Sequence, residues 1–142
     1  MGLQKILYVD DDQNLHQLVG LALQQMGGLT VQICESGIKA LELAAIFKPD
    51  LILLDVVMPG MDGLETCREL RKIPATRQTP VVFFTGHTSP NDLLRYRTYK
   101  PLGVVSKPFV PLELPLELLK LWKEHHCSGV INSGLDEAMI PA

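Results

Sequence analysis

Short apolar runs alternate with longer stretches of helical periodicity along most of this chain. Five runs have the length of strands, and all but the second are nearly continuous in apolar residues, as expected for strands covered on both faces. The predicted strands cover residues 5–10, 30–34, 50–55, 80–84 and 102–106. Because helical stretches separate them, the pattern predicts an α/β fold in which helices cover both faces of a parallel sheet.

Residues typical of helix ends mark five predicted helices, four between these strands and one after the last. The predicted helices cover residues 12–26, residues 37–47, a third stretch after Asp62, a fourth from Ser89 and a fifth over about 111–125. Asp12, Ser36 and Asp62 are predicted N-caps, because their side-chain oxygens can accept hydrogen bonds from first-turn N–H groups. Pro115 indicates that the last helix either begins later than residue 111 or kinks there. His16 is predicted to lie on a solvated helix face.

Polar and charged side chains follow the predicted strands. Asp10 and Asp11 follow the first strand, Asp55 ends the third, Thr85 follows the fourth and Lys107 follows the fifth. The carboxyl ends of parallel strands meet at one edge of the sheet, where ligands bind at the switch point. Because like charges must be compensated, the aspartates predict an acidic pocket that binds a cation, with a hydroxyl and an ammonium group beside it.

Composition and charge narrow the possible classes of protein. The chain has 142 residues, which suits one domain, and 46% of them are hydrophobic. The net charge of -3 excludes the basic footprint of a nucleic-acid binder. No apolar run approaches the roughly 18 residues of a membrane span, and the N-terminus lacks a signal-peptide pattern. With three widely spaced cysteines, these features predict a cytoplasmic protein without direct nucleic-acid contact or membrane insertion.

Four motifs at the strand ends resemble the receiver domain of bacterial two-component response regulators, in particular single-domain members of the chemotaxis-regulator type. The motifs are Val9-Asp10-Asp11, Asp55 with Met58-Pro59-Gly60-Met61-Asp62-Gly63, Thr85-Gly86 and Lys107-Pro108-Phe109. The resemblance implies a doubly wound five-stranded parallel sheet with the flavodoxin-like order 2-1-3-4-5. The resemblance extends over residues 3–125, which would form the receiver domain. Residues 126–142 form a tail that we expect to be flexible and too short for an output domain.

The resemblance implies that Asp55 is a phosphoacceptor. Its carboxylate would take a phosphoryl group from a sensor histidine kinase or a histidine phosphotransfer protein. Lys107 and the hydroxyl group of Thr85 would contact the phosphoryl oxygens. Phosphorylation and dephosphorylation would both be self-catalysed, so the chain would act as a regulator rather than as an enzyme.

The resemblance also implies a Mg²⁺ site, with Mn²⁺ as an alternative ion. Asp11 and Asp55 would bind the ion directly, and the backbone carbonyl of Val57 would be a third ligand. Asp10 would act mainly through a metal-bound water. Mg²⁺ suits such a site because it prefers oxygen ligands and keeps several of its waters.

Phosphorylation of Asp55 would change the surface formed by the fourth helix, the fifth strand and the fifth helix. That surface would bind an unknown downstream protein or support a homodimer. Val104 stands where members of the family commonly carry an aromatic residue, three positions before the lysine. This departure removes the side chain through which a shift of Thr85 is commonly transmitted to the surface.

Two alternatives remain open at this point. The Asp10-x-Asp12 pair suggests a small phosphatase with Asp10 as nucleophile and Asp12 as acid, although Asn14 stands where that family places threonine or valine. The other alternative is a receiver-like interaction module that is never phosphorylated. Loss of phosphorylation in Asp55→Asn would favour the switch, whereas loss of multiple-turnover hydrolysis in Asp10→Asn would favour the phosphatase.

Overall fold

Five parallel strands form a sheet in the order β2-β1-β3-β4-β5. The strands are β1 (Lys5–Val9), β2 (Thr30–Cys34), β3 (Leu51–Asp55), β4 (Val81–Thr85) and β5 (Gly103–Ser106). The computed structural model of the chain describes residues 2–131. It confirms the predicted doubly wound sheet, its flavodoxin-like strand order and the position of each strand to within a residue at either end.

Helices connect the strands and follow the last one. They are α1 (Gln13–Leu21), α2 (Gly37–Phe47), α3 (Gly63–Lys72), α4 (Pro90–Arg97) and α5 (Leu114–Ile131). Helix α1 continues as a π-helical turn, Ala22–Met26, before the chain turns at Gly28 with a φ of 66°. The predicted N-caps are confirmed, because Asp12, Ser36 and Asp62 each accept a hydrogen bond from a first-turn N–H group.

The helices cover both faces of the sheet. Helices α2, α3 and α4 contribute buried side chains to one face, against residues such as Leu54 and Phe83. Helices α1 and α5 cover the other face, against residues such as Leu53 and Phe84. Every residue of β3 and β4 is buried, as the continuous apolar runs predicted. The central strands therefore hold their carboxyl ends in a rigid, close-packed setting.

The last helix begins later and ends later than its predicted range. It starts at Leu114, so Pro115 lies in the first turn, where its missing N–H group costs nothing. It continues to Ile131 and so crosses the expected start of the flexible tail at residue 126. Each added helical residue gains a backbone hydrogen bond once the helix is nucleated, without needing a core contact. Residues 132–142 of the predicted tail lie outside the described part of the chain.

Candidate functional site

The polar strand ends surround one open cleft at the carboxyl edge of the sheet. Its volume is about 410 Å³. It is lined by Asp10, Asp11, Asp12, Asp55, Val57, Thr85, Gly86, His87 and Lys107. The structure thus brings together all six of the residues that the sequence selected as site residues. The parallel order of β1, β3, β4 and β5 is what makes these distant segments neighbours.

Asp10 is a fully buried carboxylate at the floor of the cleft. Its Oδ1 accepts a hydrogen bond of 2.9 Å from the Asp12 N–H group. Its Oδ2 accepts one of 2.8 Å from the Tyr8 hydroxyl and one of 3.0 Å from Lys107 Nζ. A buried charge is costly unless it is paired and hydrogen-bonded, and these donors supply that compensation. Both oxygens of Asp10 are therefore engaged by the protein itself.

Asp55 lies beside Asp10 and is only 5% exposed. Its Oδ1 accepts a hydrogen bond of 3.2 Å from the Val57 N–H group and lies 3.5 Å from Lys107 Nζ. Burial raises the pKa of the Asp55 carboxyl group to about 7; the negative charge of Asp10 acts in the same direction, while Lys107 lowers it. Asp55 is thus a carboxyl group whose charge is poorly compensated, which is typical of a functional position.

The approach of α3 to the end of β3 depends on a glycine. The Gly63 N–H group donates to the Val56 carbonyl at 2.8 Å. A Cβ atom at position 63 would lie 2.7 Å from the Cα atom of Val56 and would also collide with the backbone carbonyl of Asp55. Asp62 caps the same helix. The Asp62-Gly63 pair therefore shapes the wall of the cleft through packing and capping, as the sequence indicated.

The carboxylates of Asp10, Asp11 and Asp55 form a cluster that suits a hard cation. One ligand oxygen from each lies within 4.8 Å of the others. Asp11 is the exposed member of this cluster, whereas Asp10 and Asp55 are buried. Three carboxylates at such short separations repel one another, and a divalent cation with a preference for oxygen ligands would relieve that repulsion. The donor set therefore fits Mg²⁺ or Mn²⁺.

Thr85 and Lys107 complete the cleft on the side of β4 and β5. The Thr85 hydroxyl oxygen accepts a hydrogen bond of 3.0 Å from the His87 N–H group, so its own proton stays available to a ligand. The backbone N–H group of Lys107 donates a hydrogen bond of 2.9 Å to the backbone carbonyl of Thr85. The Lys107 ammonium lies 4.7 Å from the centre of the Phe84 ring, where a cation–π interaction steadies it.

Two residues of the site were not found by the sequence reasoning. The prediction for His16 was wrong: the residue is half-buried, and a ring nitrogen pairs with the Asp10 carbonyl. Tyr8 is fully buried, and burial raises the pKa of its hydroxyl, so it remains a donor to Asp10. Strand alternation could have revealed Tyr8, because residues two apart share a face. The contact between His16 and the Asp10 carbonyl depends on the angle between α1 and β1, and the sequence has no local signal for that angle.

No helix in the described range, residues 2–131, combines the length and the apolar character needed to cross a membrane.

Comparison with known proteins shows the family to which this arrangement belongs. A family model described as the response regulator receiver domain matches residues 6–120. The DNA-binding response regulator MtrA of Mycobacterium tuberculosis is 37% identical over 111 residues, which are 78% of this chain and 47% of that protein. A probable cyclic di-GMP phosphodiesterase of Vibrio cholerae is 36% identical over 111 residues, or 24% of its length. The chain thus spans about half of MtrA and less of the phosphodiesterase.

Solved structures agree with the sequence relatives. The chemotaxis protein CheY4 of Vibrio cholerae has a TM-score of 0.78 and 32% identity, covering 84% of this chain and 99% of that one. A putative response regulator from Chloroflexus aurantiacus has a TM-score of 0.76 and 28% identity, covering 84% and 97%. The fold, the cleft and the matched sequence agree, and the chain belongs to the response regulator receiver domain family of two-component signalling.

Proposed function

We propose that this chain is a phosphoacceptor switch in which Asp55 receives a phosphoryl group. A histidine kinase or a histidine phosphotransfer protein would be the donor. An Asp55 oxygen would form a bond to phosphorus as the phosphorus–nitrogen bond of the donor phosphohistidine breaks, and the freed imidazole would take up a proton. The observation that carries the proposal is the position of Asp55 among a lysine, a threonine hydroxyl and three further aspartates in one cleft.

Lys107 is suited to follow the charge that phosphorylation would bring. Its ammonium lies 3.0 Å from Asp10 Oδ2 and 3.5 Å from Asp55 Oδ1, so a small movement would take it toward phosphoryl oxygens on Asp55. The Thr85 hydroxyl can donate to another of these oxygens. Phosphoryl transfer depends mainly on such positioning and charge neutralisation. The pair would therefore orient the incoming group and stabilise its charge.

Asp11 and Asp55, with the backbone carbonyl of Val57, would hold a Mg²⁺ or Mn²⁺ ion. When bound, the ion supplies positive charge that neutralises the phosphoryl oxygens. Asp10 would contact it through a water, which agrees with the engagement of both Asp10 oxygens by donors of the protein. Asp11 is exposed and would be the most accessible carboxylate for the ion.

The same contacts weigh against the phosphatase alternative. Asp10, its required nucleophile, is fully buried and accepts three hydrogen bonds. Asp12, its required acid, accepts a hydrogen bond of 3.0 Å from the Asn14 N–H group and so is engaged as the N-cap of α1. Asp55, by contrast, accepts a hydrogen bond from the Val57 N–H group at 3.2 Å and lies 3.5 Å from Lys107 Nζ, both through Oδ1. Asp55 is therefore the better nucleophile.

The proposal is tested by treating the purified chain with Mg²⁺ and a small phosphoryl donor such as acetyl phosphate. Intact-protein mass spectrometry should detect the addition of one phosphoryl group, and a chelator should prevent it. Beryllofluoride, which mimics the phosphoryl group, should change the amide spectrum around Asp55 and Thr85. If neither an adduct nor a beryllofluoride response appears, the chain is a receiver-like interaction module and the proposal fails.

Mg²⁺ is expected to raise the thermal midpoint of the wild type, because it binds only the folded arrangement of the aspartates. Binding at a concentration of 100 times the dissociation constant adds about 2.7 kcal/mol to the free energy of unfolding. The Asp11→Asn variant should lose most of this shift, since it removes one exposed ligand without disturbing the core. Asp62→Asn is the matched control, because asparagine caps a helix as well as aspartate does. Equal Mg²⁺ shifts in wild type and Asp11→Asn would contradict the assigned site.

The output of the switch would be a change in the surface of α4, β5 and α5. A groove of about 640 Å³ lies between α4 and β5, and Leu93 and Leu94 are 40% and 58% exposed. Such a surface suits a downstream protein or a second copy of the chain. We propose residues 3–125 as the extent of the receiver domain and the cytoplasm as its location. The DNA binding named for MtrA belongs to that longer protein.

A further inference from the structure

The hydroxyl group of Tyr96 joins helix α4 to the loop that follows β4. Tyr96 is 1% exposed, and its hydroxyl donates a hydrogen bond of 2.7 Å to the backbone carbonyl of His87. Its ring packs on Phe83 of β4, with the ring centres 5.5 Å apart. The ring therefore anchors Tyr96 to the sheet while its hydroxyl reaches the loop.

The same loop residue is bonded to the candidate site. The His87 N–H group donates to the Thr85 hydroxyl oxygen at 3.0 Å, and both residues line the cleft that contains Asp55. A continuous path of two hydrogen bonds thus runs from the Thr85 side chain, through the His87 backbone, to Tyr96 in α4. The path is short, and the end at Tyr96 is buried.

Position 104 cannot supply this connection. Val104 lines the groove between α4 and β5 together with Tyr96, but its side chain has no polar atom. Tyr96 is the aromatic residue among the groove-lining side chains, and it approaches the loop from the helix rather than from β5. The residue that links the loop to the groove therefore lies in α4 in this chain.

We propose that Tyr96 is a positioning residue that holds the Thr85–His87 loop and transmits its movement to the exposed face of α4. This inference rests on the proposed function of Asp55. A phosphoryl group there would attract the Thr85 hydroxyl, which can donate to the phosphoryl oxygen while still accepting from His87. The His87 peptide then follows Thr85, and its carbonyl carries the displacement to Tyr96. Leu93 and Leu94 lie on the same helix and would move with it.

The test compares two tyrosine-to-phenylalanine variants. Tyr96→Phe keeps the ring on Phe83 and removes only the hydroxyl group. Tyr99→Phe is the matched control: its ring also packs near Phe83, at 6.4 Å, but its hydroxyl accepts a hydrogen bond of 2.8 Å from Arg68 and does not touch the loop. Each protein is titrated with Mg²⁺ and beryllofluoride, and backbone amide shifts are followed by nuclear magnetic resonance at the cleft and along residues 90–97.

The expected result is a separation of the two responses in Tyr96→Phe. Amides of the cleft should shift as in the wild type, whereas the shifts along α4 should fall several-fold. Tyr99→Phe should behave like the wild type in both regions. Full α4 shifts in Tyr96→Phe would overturn the inference, and so would an equal loss in both variants, because that would reflect ring packing alone.

Two further measurements separate this inference from the proposed function. In wild type carrying ¹³C-labelled tyrosine, beryllofluoride should shift the Cζ resonance of Tyr96 and leave that of Tyr99 in place. This measurement does not depend on the folding of any variant. Without beryllofluoride, Tyr96→Phe should shift the amides of Thr85 and His87, and Tyr99→Phe should not. If wild type shows no response to beryllofluoride, the proposed function fails. If wild type responds but the Tyr96 resonance stays still, only the inference fails.

Discussion

The Asp55→Asn variant is expected to form no phosphoryl adduct under conditions in which the wild type is fully modified. An amide oxygen is a much weaker nucleophile than a carboxylate, so the substitution removes the acceptor while keeping the shape of the side chain. Asp10 cannot replace it readily, because it is fully buried and both of its oxygens accept hydrogen bonds. The loss should therefore be complete rather than partial.

Intact-protein mass spectrometry after treatment with Mg²⁺ and acetyl phosphate measures this loss directly. Asp62→Asn is the appropriate control, because it makes the same chemical change close to the cleft in a residue that caps α3. It should be modified at the wild-type rate. A wild-type yield of adduct in Asp55→Asn, with the phosphoryl group mapped to Asp10, would instead support the phosphatase alternative. Multiple-turnover hydrolysis that disappears in Asp10→Asn would point the same way.

The metal-free wild type should become less stable relative to Asp55→Asn as the pH rises from about 4 to about 7. The folded-state pKa of Asp55 is about 7, whereas an unfolded aspartate has a pKa of roughly 3.9. Between these values the folded state holds a proton that the unfolded state has released, so the free energy of unfolding falls with rising pH. This contribution is fully present below about pH 4 and is lost as the pH passes about 7.

Asparagine imitates the protonated carboxyl group at every pH, so the difference between the two proteins isolates Asp55. Each unit of pKa difference corresponds to about 1.4 kcal/mol, and the variant should be more stable than wild type by a few kcal/mol near pH 8. The two stabilities should converge near pH 4. Urea unfolding in the presence of a chelator, at several pH values, measures both curves. A constant difference across this range would show that Asp55 is not buried against Asp10 as the structure has it.

A bound cation would offset an unfavourable charge in this cleft. Burial and the neighbouring Asp10 make the charge on Asp55 unfavourable in the metal-free protein. The same negative charges would attract a divalent ion, and that ion would favour the ionised form of Asp55 that can act as a nucleophile. Stability is thus given up at the functional position, as is common where a site is built for chemistry.

Much of the fold could be predicted because its signals are local. Apolar runs located all five strands, and Asp12, Ser36 and Asp62 marked helix starts through hydrogen bonds within a few residues. The end of α5 was missed, since helix propagation needs no further signal once a helix has formed. The environment of His16 was missed as well, because it depends on how α1 packs beside β1.

The sequence by itself determined which residues reach the edge of the sheet, since strand length and the position of each aspartate set Asp10, Asp11 and Asp55 at strand ends. It also determined the family resemblance through the order of its motifs. Only the tertiary structure decided which donor each carboxylate meets, that Tyr8 and Lys107 share one oxygen of Asp10, and that Tyr96 rather than position 104 reaches the loop after β4. These contacts join residues on separate elements, and their distances depend on how helices pack against the sheet, which no local pattern encodes.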